Sequence, residues 1–131
     1  MNTQRTRILV ADDEPATQRN IEKTLEKEGY SVKTASNADQ VLQEINQHSF
    51  DLIILDIRMP DSTAKLSKRA GVDALQKIRA KGLDIPVIML SATLDSTLVA
   101  EALSYSTTRF FLKGEISHVK LIKTIKELLG H

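Results

Sequence analysis

The sequence has no cysteine and no tryptophan, and only 4% of its residues are aromatic. Without cysteine there is no disulfide scaffold, no thiolate zinc site and no cysteine nucleophile. The scarcity of aromatic side chains argues against a platform on which nucleic-acid bases stack. Lys and Arg number 18 against 17 Asp and Glu, so the chain also lacks the basic excess of a nucleic-acid-binding module.

Long hydrophobic runs are missing as well. The longest apolar runs, such as Leu52–Leu55, are short, and none could span a bilayer. The polar N-terminus, Met1–Arg7, lacks the apolar core of a secretory signal, which predicts a cytoplasmic protein without membrane contact. A chain of 131 residues can bury one real core. We therefore predict a single domain over residues 1–131.

Short apolar runs alternate with longer amphipathic stretches along the whole chain. The runs predict strands at 8–11, 31–35, 51–55, 86–90 and 109–112. The stretches between them predict helices, of which the last covers about 117–129 with Val119, Ile122, Ile125 and Leu129 facing inward. This alternation indicates an α/β domain with a parallel sheet, and strands apolar on both sides require helices on both faces.

Polar residues follow four of these strands directly. In open α/β sheets ligands bind beyond the carboxyl ends of the strands, so these residues are candidates for a site. They are Asp12 and Asp13 after the first strand, Asp56 after the third, Ser91 after the fourth and Lys113 after the fifth. Each of them alone has an ordinary structural explanation, such as a turn or a solvated strand end. Their joint occurrence in register favours a functional site.

Three carboxylates held close together repel one another unless a cation neutralises them. Mg²⁺ suits such a set, because it binds carboxylates together with waters and phosphate oxygens. A carboxylate also attacks phosphorus to give an aspartyl phosphate. In such chemistry Lys113 would pair with one phosphoryl oxygen and Ser91 would donate to another.

The segments Asp12–Asp13, Asp56-Ile-Arg-Met-Pro60, Ser91–Ala92 and Lys113 resemble the receiver domain of two-component response regulators, of the chemotaxis-response-regulator type. The resemblance runs from about Arg7 to Leu129. It implies a flavodoxin-like, doubly wound, five-stranded parallel sheet in the order 2-1-3-4-5. In that order the first strand lies beside the third, which would bring the acidic pair next to Asp56.

The resemblance also implies a role for each acidic residue. Asp56 would be the phosphoacceptor, and Asp13 and Asp56 would ligate Mg²⁺. The backbone carbonyl of Arg58 would complete the protein ligands, while Asp12 would act through a water. Ser91 would be the switch hydroxyl and Lys113 the lysine that pairs with the phosphoryl group.

Three positions depart from the family pattern or leave a role open. Phe110 stands at the switch-aromatic position, although an ordinary core role is an equal alternative. Lys113 is followed by Gly114 instead of proline, so we expect a trans peptide bond there. An extended loop is expected over about 58–70, where its basic residues either tune partner choice and phosphate lifetime or have no role.

By resemblance, the phosphoryl donor would be a histidine kinase or a phosphotransfer protein. The chain itself would be a phosphoacceptor that slowly dephosphorylates itself, and we do not expect it to be an enzyme. A downstream protein or output domain, and a homodimer formed on phosphorylation, are further expected partners. One alternative is a haloacid-dehalogenase-like phosphatase. That family places a second Asp where this chain has Arg58, and its acidic metal-binding pair follows the nucleophile along the sequence, whereas here the pair comes first. The other is a phosphorylation-independent pseudo-receiver that acts as a binding module.

Overall fold

A computed structural model describes residues 5–60 and 65–130. Its seven strands, numbered along the chain, are β1 (Arg7–Ala11), β2 (Ser31–Ala35), β3 (Leu52–Asp56), β4 (Met59–Pro60), β5 (Leu66–Ser67), β6 (Val87–Ser91) and β7 (Thr108–Leu112). Five of them form one sheet in the order β2-β1-β3-β6-β7, and every neighbouring pair is parallel. With the short strands β4 and β5 set aside, this is the predicted order 2-1-3-4-5, so the flavodoxin-like fold is confirmed.

Helices cover both faces of the sheet, as predicted. They are α1 (Pro15–Lys27), α2 (Ala38–Gln47), α3 (Ala70–Ala80), α4 (Ser96–Leu103) and α5 (His118–Leu129). Alternate strand residues point to opposite faces and so feed two separate cores. Leu9 and Ile53 pack with α2, α3 and α4 on one face, while Ile8 and Ile54 pack with α1 and α5 on the other.

Two short strands lie inside the segment that the sequence predicts as a loop. Met59–Pro60 pairs antiparallel with Leu66–Ser67, and α3 begins directly afterwards at Ala70. Met59 is fully buried and ties this hairpin to the core. The expectation of a continuous loop over 58–70 is therefore wrong where these strands pair, because two-residue strands are too short to show an alternating pattern. Residues 61–64 of the segment lie outside the described residues.

Three of the four residues predicted to face inward on the last helix do so, since Ile125 is buried and Ile122 and Leu129 pack against the core, but the prediction for Val119 is wrong. Val119 is 80% exposed, whereas Leu121, Thr124 and Ile125 are buried. Residues two apart on a helix do not share a face, so a face centred on Leu121 and Ile125 excludes Val119. Among residues 5–60 and 65–130, no helix has the length and the apolar character that crossing a membrane requires.

Candidate functional site

The sheet register brings the predicted polar residues to one edge. Ala11 pairs with Leu55, so Asp12 and Asp56, the residues that follow them, lie side by side. On the other side of β3, Asp56 pairs with Leu90, just before Ser91. Because all these strands run parallel, their carboxyl ends meet, and the site arises from the chain order of the sheet alone.

Lys113 joins the two buried carboxylates. Its Nζ lies 2.9 Å from Oδ2 of Asp12 and 2.9 Å from Oδ2 of Asp56, to which it donates a hydrogen bond. Glu14 approaches the same ammonium with its Oε1 at 3.6 Å. The Lys113–Gly114 peptide is trans, as expected, and the reach of the lysine is intact. Its backbone N–H donates to the carbonyl of Ser91 at 2.8 Å, which fixes β7 against β6 at this edge.

Burial and the close contact between Asp56 and Lys113 shift the pKa values of both side chains. Desolvation raises the pKa of Asp56 to about 6, against the opposing effect of the hydrogen bond and charge of Lys113. The neighbouring charge of Asp12 raises it further. Burial by itself lowers the pKa of Lys113, but the hydrogen bond to Asp56 and the close negative charges of Asp56 and Asp12 outweigh it, and the net pKa is raised. At neutral pH the site therefore holds an ionised lysine beside an ionised Asp56.

Backbone groups fix the direction of both buried carboxylates. The N–H of Arg58 donates to Oδ1 of Asp56 at 3.2 Å, and the N–H of Glu14 donates to Oδ1 of Asp12 at 2.9 Å. Each bond reaches back from a residue two positions later, the local geometry of an Asx turn. The other carboxylate oxygen of each residue is thereby left to face Lys113.

Gly71 supports the backbone of Asp56 from α3. Its N–H donates to the carbonyl of Ile57 at 2.8 Å. A Cβ at position 71 would lie 2.8 Å from Cα of Ile57 and 3.0 Å from the carbonyl carbon of Asp56. Only glycine permits this close approach of two backbones.

Gln18 is a supporting residue that the sequence analysis did not identify. Its side-chain amide donates to the carbonyl of Asp12 and to the carbonyl of Ala35, both at 3.0 Å. It therefore fastens the end of β1 to the end of β2, directly behind the acidic pair. A lone glutamine in the first helix carries no sequence signal of this role, because both acceptors are backbone groups.

The carboxylates of Asp12, Asp13 and Asp56 can each offer one oxygen such that all three oxygens lie within 4.8 Å of one another. Asp12 and Asp56 are buried, while Asp13 is more accessible. Oδ2 of Asp12 accepts no well-formed hydrogen bond, although Lys113 lies close to it. Carboxylate oxygens are the ligands that Mg²⁺ prefers, so the donor set fits such an ion.

Ser91 and Lys113 face a cavity of about 240 Å³, which we call the acidic cavity. Its lining also includes Asp13, Asp56 and Arg58.

The hydroxyl of Ser91 is engaged within its own loop. It donates to the carbonyl of Thr93 at 2.6 Å and accepts from the N–H of Thr93 at 3.2 Å. The structure thus brings Ser91 to the cavity wall and gives its hydroxyl a local partner.

Phe110 lies apart from the acidic cavity. It is half-buried against the core under α2, α3 and α4, whereas Phe111 packs on the opposite face. Both side chains border a separate hollow near the start of α5. This arrangement is the expected alternation of a strand, and it gives Phe110 a core role in the state described.

The family model described as the response regulator receiver domain matches residues 8–126. The chain belongs to this family. Receiver domains are signalling domains of two-component systems and not classical enzymes; they generally use Mg²⁺ at the acidic site, and they interact with histidine kinases and output domains. Membership argues against the haloacid-dehalogenase-like alternative.

Individual relatives agree with this assignment. Response regulator RR06 of Streptococcus pneumoniae is 35% identical over 122 residues, which are 93% of this chain and 52% of that protein. The probable transcriptional regulator ycf27 of Cyanidium caldarium is 40% identical over 94 residues, 72% of this chain and 34% of that protein. The chain thus spans about a third to a half of the length of these two curated relatives.

Solved structures show the same receiver fold. A CheY-like response regulator receiver domain protein from Methanospirillum hungatei superimposes with a TM-score of 0.84 at 27% identity, covering 97% of this chain and 95% of that one. A receiver domain of the Francisella response regulator 1452 reaches a TM-score of 0.82 at 26% identity, covering 95% and 97% of the two chains.

Proposed function

We propose that this receiver domain is a phosphorylation-dependent switch in which Asp56 accepts a phosphoryl group from a histidine kinase or a phosphotransfer protein. The observation that carries the proposal is the position of the Lys113 ammonium, 2.9 Å from one carboxylate oxygen of each of two buried aspartates. A buried carboxylate with a cation beside it suits phosphoryl transfer, which depends on positioning and on charge neutralisation.

In the proposed step an oxygen of Asp56 attacks the phosphorus of the donor. The bond between phosphorus and the donor atom breaks, and its electron pair leaves with the donor, so that an acyl phosphate forms on Asp56. The pKa of about 6 keeps this carboxylate ionised, and so nucleophilic, at neutral pH. Lys113 already lies beside the attacking group and can follow the new phosphoryl oxygens.

We assign the direct Mg²⁺ contacts to Asp13, to Asp56 and to the backbone carbonyl of Arg58, with Asp12 acting through a water. When bound, the ion supplies positive charge next to the phosphoryl oxygens. Asp13 is the more accessible member of the acidic pair, which supports its role as a direct ligand.

The proposed response is an exchange of partners by Ser91. Its hydroxyl leaves the carbonyl of Thr93 and donates to a phosphoryl oxygen, which moves the loop between β6 and α4. Phe110 is the aromatic residue proposed to repack with that loop. A downstream protein, an output domain or a second copy of the chain would read the change, and slow hydrolysis in the cytoplasm would reverse it.

Mass spectrometry after incubation with Mg²⁺ and acetyl phosphate tests the proposal. We expect one added phosphoryl group on the wild type and none on Asp56→Asn. Asp51→Asn is the matched control, because Asp51 lies just before the other end of β3 and its substitution should leave labelling unchanged.

Labelling of Asp56→Asn equal to that of the wild type would show that another residue is the acceptor. A wild type that stays unlabelled by both acetyl phosphate and a phosphorylated kinase would favour the pseudo-receiver alternative.

A further inference from the structure

The hairpin of β4 and β5 forms part of the wall of the acidic cavity. Leu66 lines this cavity together with Asp56, Arg58 and Lys113, although half of the leucine is exposed. The strand β5 therefore lies at the site where Asp56 is presented. Leu66 can therefore contact a molecule that enters the cavity, and Lys68 follows it two residues later.

A second hollow of about 210 Å³ adjoins the acidic cavity and is bordered by Lys68. The two spaces share Arg58, Ser91 and Thr93 in their linings. Lys68 is exposed and borders the second hollow, whereas the acidic cavity itself is lined from this segment by Leu66. Within residues 5–60 and 65–130 Lys68 makes no ion pair, so its ammonium is available to a ligand.

Arg69 anchors the turn that carries Lys68. Its Nε lies 3.0 Å from Oδ1 of Asp73 on α3, and its Nη2 lies 2.7 Å from Oε2 of Glu101 on α4. Its backbone N–H also donates to Oγ of Ser67 at 3.3 Å. The backbone next to Lys68 is thus tied to β5, α3 and α4 together, which fixes the origin of the lysine side chain beside the cavity.

The charge of the acidic cavity opposes an incoming phosphoryl group. Asp12, Asp13 and Asp56 bring three negative charges, and Lys113 already pairs with two of them. Mg²⁺ offsets this charge when it is bound, but a dianionic donor approaching from solvent still has to travel to the buried lysine. A cation beside the adjoining hollow attracts the donor over this distance, an effect that salt screens.

We propose that Lys68 is a donor-binding residue whose ammonium pairs with the phosphoryl oxygens of the incoming phosphodonor as it approaches Asp56. The inference rests on the proposed function and adds to it a residue of the turn between β5 and α3 that determines donor affinity. Lys113 neutralises the group once it is on Asp56, so Lys68 acts on the rate of transfer and leaves the lifetime of the acyl phosphate unchanged.

The test compares second-order labelling rates with acetyl phosphate and Mg²⁺ for the wild type and for Lys68→Gln. Lys77→Gln is the matched control, since Lys77 is an exposed lysine of α3 that borders neither space. At about 0.01 M salt, where charges act over about 30 Å, we expect Lys68→Gln to lower the rate about two- to fivefold. At about 1 M salt, where they act over about 3 Å, the difference should disappear.

Three further measurements separate donor binding from structural damage. Lys68→Arg should restore the rate, Mg²⁺ affinity of Lys68→Gln should be at least that of the wild type, and its acyl phosphate half-life should be unchanged. A rate for Lys68→Gln equal to that of Lys77→Gln at low salt overturns the inference while leaving Asp56 as the acceptor. Failure of the wild type to be labelled at Asp56 overturns the proposed function and this inference with it.

Discussion

Replacing Asp56 by Asn should stabilise the metal-free protein at neutral pH. The side chain of Asp56 is only 5% exposed, and its pKa rises from an ordinary 3.8 to about 6, chiefly through desolvation. A carboxyl group with a raised pKa in the folded state favours the protonated form, so its ionisation destabilises the fold. At about 1.4 kcal/mol per pH unit, this cost is at most about 3 kcal/mol above pH 6.

The direction in which stability changes with pH follows from the pKa of Asp56 in the unfolded and in the folded state. Below 3.8 the carboxyl is protonated in both the folded and the unfolded state, and the cost is absent. It grows as the pH rises from 3.8 towards 6 and is complete above that value. Asn mimics the protonated form and keeps an oxygen for Lys113, which also retains its contact with Asp12. We therefore expect a gain of about 1–3 kcal/mol at pH 7.

Urea denaturation in the presence of a chelator, repeated between pH 4 and pH 8, measures this difference. Glu26→Gln on α1 is the control for the loss of an exposed carboxylate, and it should change stability by less than about 0.5 kcal/mol. Mg²⁺ at ten times its dissociation constant should raise the free energy of unfolding of the wild type by about 1.4 kcal/mol and that of Asp56→Asn by less. The difference in stability between the two proteins should therefore become smaller when Mg²⁺ is present. An Asn variant no more stable than the wild type at pH 7 would refute the reasoning.

Three further predictions follow from the supporting contacts. Gly71→Ala should lower the free energy of unfolding by about 1–3 kcal/mol and weaken Mg²⁺ binding, because the added Cβ meets the backbone of Asp56 and Ile57. Gly114→Ala is the control: its added Cβ would lie in open space, so neither urea denaturation nor metal titration should show a change. Asp13→Ala should weaken Mg²⁺ binding in a metal titration more than Asp12→Ala does; the reverse order contradicts the assigned ligands. Ser91→Ala should still be labelled but show a blunted amide NMR shift pattern, and a full pattern would end its switch role.

The sequence predicts the main sheet well because its strands are buried on both faces. Such strands appear as continuous apolar runs, and four of the five lie within one residue of the predicted bounds at both ends, while β2 matches them fully. The strand order came from the resemblance to receiver domains, since the apolar runs themselves do not encode which strands become neighbours. The hairpin of β4 and β5 was missed because four residues in two strands carry no periodicity.

The site was predictable where a residue follows a strand and unpredictable where a loop sets its contacts. Asp12 and Asp56 become neighbours through the register of β1 and β3. Lys113 follows β7, on the far side of β6 from β3, and its long side chain reaches across to both carboxylates. The hydrogen bonds of Ser91 to Thr93 depend on the conformation of the β6–α4 loop. The exposure of Val119 depends on how α5 is rotated about its own axis. Neither quantity is fixed by the pattern of apolar residues.

One backbone contact explains why Ser91 and Lys113 belong to a single responsive unit. The N–H of Lys113 donates to the carbonyl of Ser91 at 2.8 Å, so the two residues that face the acidic cavity from β6 and β7 are joined through the main chain. A phosphoryl group that draws the Lys113 ammonium away from Asp12 and the Ser91 hydroxyl away from Thr93 pulls on both ends of this bond. In the proposed switch, β7 and the β6–α4 loop therefore move together, because a separate movement of either would break the hydrogen bond between them.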